Sequence, residues 1–202
     1  MKKISLTFIL FFLLLTLIKA QQNEFQMNFG TDLGFSKIIY NDESLNTSTY
    51  GAELNAQYGI SKFINLETGL NYFQTQGNLI ILGKSNFVEN SYLLIPLGLN
   101  AKFNITNNTE ATSQQRLSIL LATGLYANHL TRIKVENRFS ESNLGWTMGA
   151  YGKIGMHCHV NSIFSLDMGL KFQSDFSAVD KNEWLKVEQN RKAFFINFGF
   201  KL

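Results

Sequence analysis

The chain has 202 residues, with 18 Lys and Arg against 15 Asp and Glu, one Cys and one Pro. A single cysteine excludes an intramolecular disulfide framework, and this length suits one domain. Three of the lysines lie in the first 20 residues, so the remaining residues carry 15 basic and 15 acidic side chains and are formally neutral. A basic chain would favour a nucleic-acid partner, but the neutral residues 21–202 do not.

The first 20 residues predict a secretory signal. Lys2 and Lys3 precede an apolar run over residues 4–18, and about 15 apolar residues are short for a membrane-spanning helix. The small residue Ala20 suits cleavage before Gln21. We therefore expect residues 1–20 to be removed and residues 21–202 to form one outer-membrane domain. An uncleaved N-terminal anchor is the alternative.

Eight segments that follow this signal alternate apolar and polar side chains, which is the pattern of a strand with one apolar and one polar face. Most are ten to fourteen residues long, and about ten residues suffice for a tilted strand to cross a bilayer. The segments are 24–37, 50–60, 65–74, 92–103, 116–128, 144–157, 164–173 and 194–202. Pro96 is the weak point of the fourth segment because proline cannot donate to a strand ladder.

The connections between these segments alternate in length. Those after the second and sixth are short, and those after the first, third, fifth and seventh are long and polar. Tight turns at one rim and long loops at the other are expected of an up-and-down barrel. The connection 104–115 departs from this alternation because it is long on the side where a tight turn belongs.

The last segment shows the alternation most clearly. Its apolar residues recur at every second position, and they are Phe194, Ile196, Phe198, Phe200 and Leu202. Such a face needs another layer to cover it, and a bilayer is one such layer. We interpret this segment as the closing strand of the barrel and the strand that directs membrane insertion.

The polar faces of the segments indicate which side is inside. They carry recurring glycines and a balanced set of charges, namely Asp32, Glu53, Glu67, Asp167, Lys102, Lys153, Lys171 and Lys201. A narrow eight-stranded interior needs small residues, and charges buried there must pair. We therefore predict an all-β fold, an eight-stranded antiparallel up-and-down transmembrane β-barrel, with these charges in the lumen and the apolar face toward lipid.

Two segments carry a resemblance to a known family. The stretch Tyr92–Leu97, read Tyr-Leu-Leu-Ile-Pro-Leu, and the stretch Leu66–Tyr72 resemble the PorT-like outer-membrane β-barrel proteins of Bacteroidetes, as do the signal and the aromatic last strand. The position of Leu94 is often acidic in that family. The resemblance implies an eight-stranded barrel that the barrel-assembly machinery inserts, and it implies no particular activity.

Two clusters raise chemical alternatives. His157 and His159 share a strand face while Cys158 points away, so three convergent metal ligands require a turn, and we predict no metal site. Lipid-modifying barrels use a serine, a histidine and an acid, and His129 is followed by candidates at Ser140, Glu136 and Glu141. We keep an enzyme acting on lipid A as the main alternative, and a soluble lipocalin-like binder as a lesser one.

The expected function is therefore that of a non-enzymatic, porin-family-like outer-membrane barrel with a structural, adhesive or secretion-related role. Eight strands leave an interior that side chains fill, which argues against a pore. The expected partners are outer-membrane lipids, lipopolysaccharide, the barrel-assembly machinery and other envelope proteins, without cofactor. Basic residues on the long loops are candidates for lipopolysaccharide phosphates, and they are Lys84, Arg132, Lys134 and Arg138.

Overall fold

A computed structural model of the chain describes residues 24–40, 43–81, 84–105, 116–136, 139–180 and 186–202. The expected cleavage point at Ala20 and Gln21 and most of the 104–115 connection lie outside these residues. Within them the secondary structure is β, in the strands β1 (Phe25–Tyr40), β2 (Glu43–Gly59), β3 (Ile64–Ile81), β4 (Lys84–Asn104), β5 (Arg116–Val135), β6 (Phe139–His159), β7 (Phe164–Asp175), β8 (Val179–Asp180) and β9 (Lys186–Lys201). No helix in the described part of the chain is long and apolar enough to cross a membrane.

The long strands close into a ring. Each of β1 to β7 pairs antiparallel with its neighbour in the chain, and β9 pairs with both β7 and β1. The two-residue β8 adds only to the start of β9. This topology confirms the predicted eight-stranded antiparallel up-and-down barrel.

The register also fixes the stagger of the barrel. Following cross-strand partners from Phe25 through all eight long strands leads back to β1 at Phe35, ten residues further along. A stagger of this size goes with strands tilted by roughly 35–45° to the barrel axis. The tilt gives each strand room to cross a bilayer and to continue beyond it.

The outer surface carries an apolar belt. Belt residues on every long strand are exposed, including Leu33, Leu54, Leu97, Leu125 and Phe198, the last of them 57% exposed. The side chains between them point inward and are largely polar. This arrangement is the reverse of a lipocalin-like soluble barrel and is that of a transmembrane barrel.

One rim of the barrel holds the tight turns, the start of β1 and the end of β9. The turn between β2 and β3 closes with Ile60 N donating to Ile64 O at 2.9 Å, and the turn between β6 and β7 closes with Val160 N donating to Phe164 O at 3.0 Å. The Asn161 side chain caps the second turn by accepting from the backbone N–H of Phe164 at 2.7 Å. Because transmembrane barrels place their short turns in the periplasm, this is the periplasmic rim.

At the opposite rim the strands are longer than the alternation predicted. The long polar connections expected after the first, third and fifth segments are wrong, since β1 and β2, β3 and β4, and β5 and β6 remain paired almost to their ends. We call this part of the barrel, beyond the belt, the outer extension. There most outward side chains are polar and most inward ones are apolar, so the apolar outer face ends where the extension starts.

Pro96 marks an interruption of the ladder, as the sequence suggested. The register between β3 and β4 is continuous up to Thr68 opposite Leu97 and resumes at Asn71 opposite Leu94. Thr68 Oγ1 donates to the carbonyl oxygen of Pro96 at 2.9 Å. A side-chain hydrogen bond thus joins the two strands where proline has no N–H to give.

Candidate functional site

The lumen is the candidate site because it concentrates the charged and polar groups of the chain. Its centre holds six buried side chains of alternating charge, in the order Arg191, Asp32, Lys171, Glu53, Lys153, Glu67. We call this set the ion-pair chain. Three positive and three negative groups leave it neutral, which is the condition for holding charges in a narrow interior.

The contacts within the ion-pair chain are close. Lys171 Nζ lies 3.3 Å from Asp32 Oδ2 and also pairs with Glu53. Lys153 Nζ lies 2.8 Å from Glu67 Oε1 and 3.7 Å from Glu53 Oε2. All of these side chains are at most 3% exposed. Each lysine therefore bridges two carboxylates and cannot be removed without leaving one of them short of a partner.

Neutral polar side chains complete the ends of the ion-pair chain. At one end Glu67 Oε2 accepts from the amides of Gln57 at 2.9 Å and Asn100 at 3.1 Å. At the other end the Arg191 guanidinium donates to Thr49 Oγ1 at 3.0 Å and Gln173 Oε1 at 2.9 Å. These bonds satisfy donors and acceptors that the ion pairs leave over, which buried charges require.

Aromatic rings lie against the basic groups. The Arg191 guanidinium carbon is 4.2 Å from the ring centre of Phe73, which stacks on Tyr92 at 4.8 Å. Lys153 Nζ lies 5.7 Å from the ring centres of both Tyr151 and Phe195. The rings fill the space between charged side chains, so the middle of the lumen is packed with side chains.

The predicted charge network divides into two groups. Asp32, Glu53, Glu67, Lys153 and Lys171 form the centre of the ion-pair chain described above. The other three predicted charges lie nearer the periplasmic rim, and they are Asp167, Lys102 and Lys201.

Near the periplasmic rim the charges have different partners. Asp167 pairs with His157 Nδ1, and His157 Nε2 lies 3.1 Å from His159 Nε2. Lys102 Nζ donates to the side-chain oxygens of glutamines on β1 and β2, at 3.2 and 3.0 Å. Lys201 pairs with Glu24 at the exposed rim and does not join the lumenal chain.

Arg191 is the member of the ion-pair chain that sequence reasoning missed. The predicted last strand started at residue 194, whereas β9 begins at Lys186. Arg191 lies in phase with Asn197, on the inward face, and both are buried. The signal that would have found Arg191 is the alternation of inward and outward residues, continued from residue 194 toward the N-terminal end of the last strand.

The extracellular end of the lumen is closed by apolar side chains. We call this set the outer plug, and it consists of Ile38, Leu45, Val88, Leu130, Ile133, Val135, Leu144, Val179 and Val187, each at most 6% exposed. They point inward from the extension strands and from β8. The outer extension thus has the layout of a water-soluble barrel, with its apolar residues inside.

The described residues do not assemble the acyl-transfer constellation. His129 faces outward against Trp146, at 4.7 Å between ring centres, and its Nε2 contacts Asn143 Oδ1 at 3.0 Å. Ser140 lies opposite Lys134, five residues along the strand from His129. At about 3.3 Å per residue that spacing amounts to roughly 16 Å, too far for a base to take a proton from the serine.

The His157–Cys158–His159 cluster lies as its strand phase requires. The two histidines share the inner face and contact each other, while Cys158 is half-buried on the outer face with a free thiol. Within the described ranges no group of three or more His, Cys, Asp or Glu side chains could hold a metal ion.

The belt and the polar lumen identify the protein as an outer-membrane barrel, because barrels with an outward apolar band reside in outer membranes. No protein-family model matches the sequence, and no curated protein is detectably similar to it.

Solved outer-membrane barrels are similar to this chain in fold. They include Ail, the attachment invasion locus protein of Yersinia pestis, with 13% identity, 90% of this chain and 100% of that chain covered, and a TM-score of 0.46. Neisserial surface protein A has 11% identity, covers 86% and 95%, and has a TM-score of 0.45. The N-terminal barrel domain of Pseudomonas aeruginosa OprF has 10% identity, covers 90% and 100%, and has a TM-score of 0.44. The fold of this chain itself rests on its closed strand register.

Proposed function

We propose that this protein is a closed, non-enzymatic outer-membrane scaffold that holds a rigid, polar-surfaced β extension outside the cell, in a structural or adhesive role. The single observation that carries the proposal is the reversal of inside and outside chemistry along the barrel axis. In the bilayer the polar side chains are inside, and in the outer extension the apolar ones are. A folded extension of this kind presents a fixed surface to other molecules.

The lumen supports the closed state because it is blocked at two levels along the barrel axis. The ion-pair chain crosses the middle of the lumen, and the outer plug fills its extracellular end. A solute would have to separate buried ion pairs, which costs several kcal/mol for each broken pair, and then displace the apolar plug. Free diffusion through the barrel is therefore not the function that we propose.

Planar-bilayer recording of the refolded protein tests the closed state. We expect no stepwise ion conductance from wild-type protein. As a positive control, a variant with Leu130→Ser and Ile133→Ser in the outer plug and Lys153→Gln in the ion-pair chain should leak. Steady conductance steps from the wild-type barrel would refute the proposal.

Surface labelling tests the display of the extension. In a Cys158→Ser background, a cysteine at Lys134, which is exposed on the outer extension, should react in intact cells with a reagent that cannot cross the membrane. A cysteine at Lys62, on a periplasmic turn, should react only after the cells are opened. The opposite pattern would reverse the proposed orientation.

A mass change in lipopolysaccharide incubated with the folded barrel would instead support the lipid A enzyme.

Export, insertion and family membership belong to the same proposal. We propose that residues 1–20 direct export, that the barrel-assembly machinery inserts the mature chain by its last strand, and that the chain is a PorT-like barrel. The alternate outward residues of β9 support the second part, since Phe194 and Phe198 are 45% and 57% exposed. Replacing Phe198 and Phe200 by serine should lower the amount of assembled barrel in cells.

A further inference from the structure

A groove of about 1340 Å³ crosses the barrel at the upper edge of the belt; no residue of the outer plug lines it, and Arg191 is the one member of the ion-pair chain that does. Two neighbouring cross-strand rows line its centre. One row runs from Phe172 to Lys192 to Phe35, and the other from Asn190 to Lys37. Together the two rows place basic, amide and aromatic side chains on strands that are adjacent in the ring.

The two lysines of the groove are neighbours. Lys37 lies opposite Asn190, and Lys192 is the next residue on the same face of β9, so the two lysines are diagonal partners about 7–8 Å apart. Both are exposed, and neither forms an ion pair with any residue that the structure describes. Two like charges at this spacing repel each other, and an anion placed between them relieves that repulsion.

The position of the groove indicates what the anion is attached to. Phe35 is 76% exposed and Leu33, one row lower, is 62% exposed, so the belt reaches the floor of the groove. The groove lies on the side of the belt away from the tight turns, which is the level of headgroups in the outer leaflet. Phe172 and Phe35 flank Lys192 in the cross-strand row. A ligand here meets positive charge and apolar surface together.

We propose that this groove binds the phosphorylated headgroup of an outer-leaflet lipid, with Lys37 and Lys192 on the phosphate and an acyl chain along Phe35 and Phe172. The amide of Asn190 supplies a further donor to the headgroup. The inference rests on the outer-membrane orientation of the proposed function, and it does not depend on whether the lumen is closed. Basic residues near a membrane surface attract anionic lipids in this way.

Native mass spectrometry of the refolded full chain tests the site, with bisphosphorylated lipid A added to the detergent micelles as the probe. The variant K37Q/K192Q should bind the lipid about tenfold more weakly than wild type. The matched control K62Q/K201Q removes two lysines at the periplasmic rim and should bind as wild type does. Lipid A from which both phosphates have been removed should bind wild type about as weakly as intact lipid A binds K37Q/K192Q.

Three results would overturn the inference. They are equal affinity of wild type and K37Q/K192Q, an equal loss in the control variant, or displacement of the lipid by an equal concentration of inorganic phosphate, which would indicate a site for free anions. Conductance of the same variants keeps the two proposals apart, since K37Q/K192Q should stay closed whatever its affinity for lipid. A conducting wild-type barrel would count against the closed scaffold and leave the lipid site standing.

Discussion

Lys171→Met is the substitution that tests the ion-pair chain most sharply. Lys171 is 2% exposed and bridges Asp32 and Glu53 in the centre of the lumen. Methionine keeps a similar length and volume but brings no charge. The substitution therefore leaves three buried carboxylates facing two buried cations.

The expected loss follows from the contacts that remain. At an effective dielectric constant of about 20, two unit charges 3.3 Å apart attract by about 5 kcal/mol before desolvation is counted. Asp32 keeps its pair with Arg191, while Glu53 keeps Lys153 at 3.7 Å as its one cationic partner, together with hydrogen bonds from the Asn55 and Asn197 amides at 3.1 and 3.4 Å. Removing one partner of a buried pair costs about 3–5 kcal/mol, and we place Lys171→Met in that range.

Urea titration of the barrel folded in detergent micelles, followed by tryptophan fluorescence, measures this loss in the free energy of unfolding. The double variant K171M/E53Q restores neutrality and should recover at least half of it, because the unpaired carboxylate is gone. A loss below about 1 kcal/mol for Lys171→Met, or additive losses in the double variant, would refute the reasoning.

Three further predictions concern packing, belt and plug. Gly149→Ala should lower stability by about 1–3 kcal/mol because its Cβ would lie 2.5 Å from a backbone carbonyl oxygen of β7, whereas Gly152→Ala, with its nearest neighbour 3.9 Å away, should be neutral or slightly stabilising in the same urea titration. Leu97→Arg near the middle of the belt should cost about 2–4 kcal/mol and Phe164→Arg at its lower edge about 0–1, as measured by refolding in lipid vesicles. Leu130→Ala in the outer plug should cost about 2–5 kcal/mol and make the outer extension sensitive to external protease while the belt stays protected.

The membrane-spanning half of the fold could be predicted from sequence because its chemistry alternates strongly. From residue 194 to residue 202 every second residue is large and apolar, and the residues between them are Asn197, Gly199 and Lys201 or, in one case, Phe195. That phenylalanine is 1% exposed and points into the lumen, where its ring packs against Lys153.

The outer extension could not be predicted in the same way. Its outward residues, such as Lys37 and Ser48, are polar, and its inward ones, such as Ile38 and Leu45, are apolar, so the phase of the hydrophobic pattern reverses within a continuous strand. A pattern search that expects one apolar face per strand interprets the reversal as a loop. The same error hid Arg191, which lies at the level where the phase changes.

Which of the lumenal charges pair with each other could not be predicted from the sequence either. Residue types and phase were enough to propose that Asp32 and Lys171 face the same interior, but they are 139 positions apart, and only the closed register brings their atoms within 3.3 Å. Lys201, which has the same phase, is drawn to Glu24 because both lie at the rim where the ring closes.

The most direct test of the central claim, that lipid covers the apolar face and side chains fill the polar one, is a cysteine scan along β9. Each of residues 194–200 is replaced singly in a Cys158→Ser background, spin-labelled, and reconstituted in lipid vesicles. The account predicts that labels at 194, 196, 198 and 200 collide with lipid-dissolved oxygen and that labels at 195, 197 and 199 do not. Collision at the odd positions with protection of the even ones would contradict it and indicate a barrel with its apolar face inside.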